Sequence, residues 1–226
     1  MTTTSPSTPR GELPALPSLP SDDIRQIMWR FDDRHDLQQL RDSARQVARG
    51  LVAQLVTTGQ RSTYEWTPEK QGLLDALDSA GVSSLFYKQA NGGVPSSPKN
   101  LATALAAFEL AWVDGGAATC LVALGLALQP ILALGTDEQR ERYLGTAAAG
   151  KGEGHPLRGA FCLTEPLPYA GVDTGVLSGR VRIEEWQQGE VPLLRVQKRG
   201  RFTNNMDFAQ FVVVAVASDD PQIEGS

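Results

Sequence analysis

At 226 residues, 41% hydrophobic and 21% charged, the chain is long enough to bury a sizeable core in one large or two small domains. A formal charge of -5 with no Lys/Arg cluster argues against nucleic acid as a partner. The two cysteines, Cys120 and Cys162, lie in apolar runs and read as buried free thiols in a reducing compartment; with no basic-then-apolar leader, the expected location is the cytoplasm.

Residues 1–20 are rich in Thr, Ser and Pro and read as a disordered tail. Ser21-Asp22-Asp23 is a helix-cap pattern before a short helix ending near Arg30. Over residues 36–56, Leu37, Leu40, Ala44, Val47, Ala48, Leu51, Val52 and Leu55 follow helical spacing, and Gly59 closes the run. Thr67-Pro68-Glu69 opens a further helix that continues through Leu74 and Leu77 to Gly81. Asn91-Gly92-Gly93 is a loop, and Leu101, Leu105, Phe108 and Trp112 form one stripe of the next helix.

The uncharged span 115–135 is long enough to cross a bilayer. It also carries Thr119, Gly125, Gln129 and Pro130, with Asp114 and Asp137 just outside. The favoured reading is therefore a core helix buried on every side, central to a bundle, and no membrane span. Thr136 with Gln139 three residues on is a capping box that launches a last helix through Tyr143 and Leu144.

The pattern changes after Gly154. Leu163, the alternating residues 176–183, Leu193 to Val196 and Phe211-Val212-Val213-Val214-Ala215 read as strands separated by Gly-containing turns. The fold class expected is α+β: an α-helical bundle over residues 21–154, then an incomplete antiparallel β-barrel over residues 155–226. His35 and His155 are far apart, without Cys or carboxylate at ligand spacing, so no metal site is expected. No dinucleotide or P-loop glycine pattern follows a strand, and repeats are absent.

One stretch carries more chemistry than the rest. Ala160-Phe161-Cys162-Leu163 runs directly into Thr164-Glu165-Pro166, with Ala170-Gly171-Val172-Asp173 beyond. A strand ending this way presents backbone N–H groups and a hydroxyl suited to the edge of a flat polar ring. A second strand, ending at Phe202-Thr203-Asn204, would supply the ring's other face. Each threonine alone is an ordinary strand-end hydroxyl satisfying a turn; the pair of motifs is what makes a site.

In the helical part, Ala90-Asn91-Gly92-Gly93-Val94-Pro95, Phe108-Glu109-Leu110-Ala111-Trp112-Val113-Asp114-Gly115-Gly116 and Pro130-Ile131 with Gly135-Thr136-Asp137-Glu138-Gln139 add to this. Together with Thr164-Glu165-Pro166 and Phe202-Thr203-Asn204 they resemble the acyl-CoA dehydrogenase family of flavoproteins. That resemblance implies FAD, its isoalloxazine bracketed by the two motifs. Phe161, Leu163 and Thr164 would line the pyrimidine edge, and Arg201, Phe202 and Thr203 would lie along the ring. Gly171 and Val172 stand where the family writes Gly-Ser-Asp, so a hydroxyl contact is lost, and residues 167–169 include two extra positions. Arg201 replaces the family's usual Trp or Phe; it too can stack on a ring, but it brings a charge that would favour the anionic reduced flavin.

The family continues into a further helical domain that supplies the catalytic carboxylate, whereas this chain is expected to end partway through the β domain. Glu69, Glu109, Glu165, Glu184 and Glu185 lie in the wrong motifs and read as solvated or cap-forming carboxylates, so no catalytic residue is assigned. The uncovered Val212-Val213-Val214 run would leave an edge prone to aggregation unless a second polypeptide completes the domain; a fragment remains the other reading.

The resemblance implies α,β-dehydrogenation of an acyl-CoA thioester, electrons passing to an electron-transferring flavoprotein, and a homo- or hetero-oligomer. On its own the chain is expected to be inactive. Two alternatives stay open: a non-catalytic assembly subunit of the same fold, and a related acyl-CoA oxidase or flavin monooxygenase.

Overall fold

A computed structural model describes residues 33–86, 99–145, 157–166, 177–218, 220–221 and 223. The expected tail, the short helix before Arg30, the Asn91-Gly92-Gly93 loop, His155 and the Gly171-Val172 turn lie outside them.

Helix α1 (His35–Val47) buries Leu37, Leu40, Ala44 and Val47 on one stripe. It continues through a π-helical turn (Ala48–Val52) into α2 (Ala53–Thr57). The wider turn keeps Ala48, Val52 and Leu55 facing the core, and Gly59 closes the segment at φ 75°. Helix α3 (Pro68–Ser79) begins as the sequence expects: the Thr67 hydroxyl accepts from the Lys70 N–H at 3.4 Å, and Pro68 occupies the first turn. Gly81 at φ 73° leads to a 3₁₀ turn, Ser83–Phe86.

Helices α4 (Lys99–Ala111) and α5 (Gly115–Leu134) form a hairpin, and the Asp114 carboxylate caps α5 by accepting from the Ala117 N–H at 3.0 Å. The Thr136 capping box forms as expected. It starts a single turn, α6 (Asp137–Arg140), which passes into a π turn at Glu141–Gly145.

Helix α5 departs from expectation. It is long and apolar enough to cross a membrane, yet it is not buried on every side. Ala117, Leu121, Leu124 and Leu128 face the interior, whereas Thr119, Val122 and Leu126 are exposed along the opposite stripe. Its neighbours, α4, the Ser83–Phe86 turn and β1 (Gly159–Cys162), reach only part of its circumference.

The strands do not pair in antiparallel fashion throughout, as the expected barrel requires. β1 pairs in parallel with β4 (Phe211–Val214), Gly159 opposite Phe211. β2 (Arg180–Glu185) pairs antiparallel with β3 (Leu193–Gln197) and in parallel with the two-residue β5 (Ala217–Ser218), which the sequence had not indicated. Among the described residues the result is a two-stranded parallel sheet and a three-stranded mixed sheet, with no closed barrel. β1 and β4 pair in parallel because the long intervening chain, including β2 and β3, returns β4 in the same direction as β1. Gly159 permits this contact: a Cβ there would lie 2.4 Å from the Phe211 ring and 2.7 Å from the Ala127 Cβ on α5.

Two buried charges tie these layers together. Arg158, at the entrance to β1, donates to the Leu74 carbonyl (3.1 Å), the Ser83 hydroxyl (3.2 Å) and Asp78 Oδ1. Its carbonyl accepts from the Gln210 and Phe211 N–H groups at the start of β4. Within the helices, Arg45 on α1 grips Glu109 on α4 with two bonds of 2.9 and 2.5 Å, and Glu109 is only 6% exposed. Glu109 is therefore not the solvated or capping carboxylate expected of it, because the packing of α1 on α4 encloses it.

Breaking that pair leaves a buried charge without its partner. Glu109→Ala is expected to cost about 3–5 kcal/mol in urea unfolding, whereas Arg45→Met with Glu109→Leu should recover most of the loss. Equal unfolding midpoints for Glu109→Ala and the native chain would refute the assignment.

Candidate functional site

The site begins where β1 ends. Cys162 is the last strand residue, and the next three diverge in role. The Leu163 carbonyl accepts from Lys198 Nζ at 3.0 Å, and the Thr164 carbonyl accepts from the Arg201 N–H at 3.0 Å. The Glu165 carboxylate, 1% exposed, accepts from the Ser178 N–H (2.6 Å), the Gly179 N–H (3.0 Å) and Lys198 Nζ (2.6 Å). Lys198 completes its three bonds at the Ala215 carbonyl, 2.8 Å away. Glu165 is thus a structural anion and not the solvated or capping carboxylate expected from sequence. The Lys198 ammonium and the two backbone N–H groups hold its carboxyl at about 2, well below its ordinary 4.5.

The second motif also differs from expectation. β3 ends at Gln197, so Thr203 does not terminate a strand. After Lys198 the chain passes Gly200, where a Cβ would stand 2.3 Å from Cys162 Sγ. Only glycine allows the 200–203 segment to lie this close over the end of β1. Phe202 then takes φ 56°, a left-handed conformation that turns the chain away from the strand direction.

Six of the eight residues singled out from sequence can be placed. Phe161, Leu163, Thr164 and Thr203 are half-buried, while Arg201 and Phe202 are exposed. Gly171 and Val172 lie outside the described residues. The Thr164 carbonyl and the Thr203 hydroxyl both approach to 3.7 Å of the position a Gly200 Cβ would take. The two threonine motifs therefore converge on one spot. Among the described residues neither threonine hydroxyl has a hydrogen-bond partner. Arg201 places its guanidinium 4.0 Å from the Phe202 ring centroid, and Phe202 is 75% exposed.

A cavity of about 400 Å³ lies beside Thr203, between α2, α3, the start of α5 and residues 203–208. Phe161, Leu163 and Thr164 do not line it. Burial pushes the Cys120 thiol on its wall above its ordinary value, which makes that cysteine a poor nucleophile.

Two residues that organise the site, Lys198 and Arg158, were not singled out from sequence. Gly200 was the available signal for the first, since a lone glycine after an apolar strand marks close backbone approach. Among the described residues no group of His, Cys, Asp and Glu could hold a metal ion.

Comparison with known proteins bears on this arrangement. Residues 34–151 match the family described as acyl-CoA dehydrogenase, N-terminal domain. Over 103 residues, 45% of this chain, the sequence is 38% identical to the short-chain specific acyl-CoA dehydrogenase of Megasphaera elsdenii, covering 25% of that protein. The fold superposes on a chain from a solved structure of the electron transferring flavoprotein of Acidaminococcus fermentans, with a TM-score of 0.60 and 26% identity, over 79% of this chain and 42% of the other. The chain therefore spans about a quarter of the curated relative and under half of the solved neighbour.

The low pKa of Glu165 fixes the sign of an acid effect. Its stabilisation is complete above pH 4.5 and is lost as pH falls from there toward about 2. Lys198→Met removes the main cause, so that variant should be less stable at neutral pH and lose its remaining stability at a higher pH. Urea midpoints measured across the acid range test this; coincident profiles for the two proteins would dismiss the ion pair as the cause.

Proposed function

Because the chain belongs to the acyl-CoA dehydrogenase family, we propose that it forms the N-terminal portion or a subunit of an FAD-dependent acyl-CoA dehydrogenase. Its division into a helical domain (21–154) and part of a β-barrel domain (155–226) belongs to the same proposal, as does a cytoplasmic location. The observation that carries the reading is the convergence of two half-buried threonines around Gly200, Thr164 through its carbonyl and Thr203 through its hydroxyl. Such a cradle fits the polar edge of an isoalloxazine, and the resemblance of both motifs to the family's flavin-binding turns supports that choice.

In this reading Thr164 and Thr203 donate to the ring, and Phe161 and Leu163 flank its pyrimidine edge. Arg201 and Phe202 form an exposed stacked pair at its margin. Bound flavin would supply the electron acceptor for α,β-dehydrogenation of an acyl-CoA thioester. The protein's own contribution is to fix the ring and to exclude water on the β1 side.

The chain's carboxylates support the expectation that the α-proton is taken by a group from elsewhere. Glu109 and Glu165 are held in buried ion pairs, Glu184 pairs with Arg195, and Glu69 sits in the first turn of α3. A second polypeptide or further chain would supply the base. An electron-transferring flavoprotein as redox partner is supported by the solved neighbour.

The test is spectroscopic as well as catalytic. The full chain, purified with any polypeptide that accompanies it, should bind FAD and show flavin absorbance. Thr164→Val and Thr203→Val should each weaken FAD binding roughly three- to tenfold, the value of one hydrogen bond. Acyl-CoA turnover should appear only with the polypeptide that carries the carboxylate. A colourless protein whose complexes neither retain FAD nor oxidise acyl-CoA would instead mark an assembly subunit.

A further inference from the structure

Asn205, two residues past Thr203, sits at φ 66° and is 8% exposed. Its Nδ2 donates to the Cys120 carbonyl at 3.0 Å, which pins the 203–208 segment against α5. Its Oδ1 is buried and has no hydrogen-bond partner among the described residues. A buried acceptor left without a donor is unfavourable, and native interiors seldom keep one.

Asn205 lines the cavity of about 400 Å³ beside Thr203. That volume falls in the range of small-molecule sites, roughly 300–1,000 Å³. Leu55, Leu73, Ala117, Trp66 and Phe208 make the walls largely apolar, and the Trp66 and Phe208 rings stack at 4.4 Å.

The cationic groups at the cavity are already engaged, and Asp207, on its wall, is exposed to solvent. Arg61 Nε donates to Asp114 Oδ1 at 3.0 Å, and Lys70 Nζ donates to the Thr63 and Glu65 carbonyls at 2.6 and 2.7 Å. Neither leaves a field that calls for an ion. The buried acceptor calls instead for a donor on an otherwise apolar body.

We propose that this cavity binds a neutral, mainly apolar small molecule bearing one N–H or O–H group, which donates to Asn205 Oδ1. Met206, unbranched and half exposed on the cavity wall, is the flank that yields as the donor reaches the amide. The site is separate from the proposed flavin cradle and touches it only through Thr203.

Indole and N-methylindole serve as probes, since they differ in the donor and little else. Titrated into the full isotope-labelled chain, indole should give saturable NMR shifts at residues 203–208 and 116–120. N-methylindole should bind roughly three- to tenfold more weakly, as one lost hydrogen bond requires. Asn205→Gly, which suits the left-handed backbone, should abolish the preference. Thr63→Trp, at the exposed rim, should block both probes. If Asn205→Gly does not fold, the two probes on the native protein still decide.

Saturating FAD should leave indole binding unchanged, and a chain that binds no FAD can still show the indole preference. Equal affinities for the two probes, shifts confined to other regions, or competition by FAD would each overturn the proposal.

Discussion

Lys198 stands where the two small sheets meet. Its ammonium bonds the carbonyl after β1, the carbonyl after β4 and the Glu165 carboxylate, while Glu165 receives the N–H groups that precede β2. Lys198 itself follows β3 directly. Four strand ends are thereby fixed around one cation that is 5% exposed. Burying an ammonium is tolerable only when every donor is satisfied, and here all three are. The candidate site inherits its geometry from this knot: Thr164 lies between two of its acceptors, and Gly200 and Thr203 follow the lysine by two and five residues. Any displacement of the ion pair would separate the threonine motifs before it disturbed the helices.

Locally encoded features were legible in the sequence. The caps at Thr67 and Thr136, the closing turns at Gly59 and Gly81, and the strands around Cys162, Leu194 and Val213 all follow from neighbours a few residues away. What could not be read depends on distant partners. Parallel pairing of β1 with β4 has no signature within either strand. Lys198, Glu165, Glu109 and Arg158 are charged, and charge in isolation predicts solvent exposure; only their partners, many residues away, make burial favourable. Thr203 was placed at a strand end because Phe202 gives no sign of positive φ, a conformation usually left to Gly or Asn. The second motif therefore departs from expectation in its local backbone: the strand ends at Gln197, before Phe202 and Thr203.

Helix α5 serves two environments. One stripe seals the core beneath Phe86 and Phe211, and its first turns wall the cavity at Ala117 and Cys120. The opposite stripe, with Val122 and Leu126, is exposed. An apolar residue is chosen at almost every position, which is why a periodicity argument found no polar face. The protein keeps this helix in place through contacts at its start and middle, while Leu132 and Leu134 near its end are exposed.

The parallel register of β1 on β4 has a kinetic consequence. Gly159 cannot meet Phe211 until β2, β3 and the 200–203 turn have been made and brought round. The α4–α5 hairpin, by contrast, closes over the three residues between Ala111 and Gly115, and the α1–α4 contact joins residues that all precede β1. During synthesis the helices would assemble first and the sheet last, with loop-closure entropy slowing the final step. Until that docking occurs, Arg158 stays hydrated, so its dehydration belongs to the late barrier. Substitutions at Arg158 or along α1 would then act chiefly on how fast the two layers come together, and only contacts made after that docking on how long the finished molecule lasts.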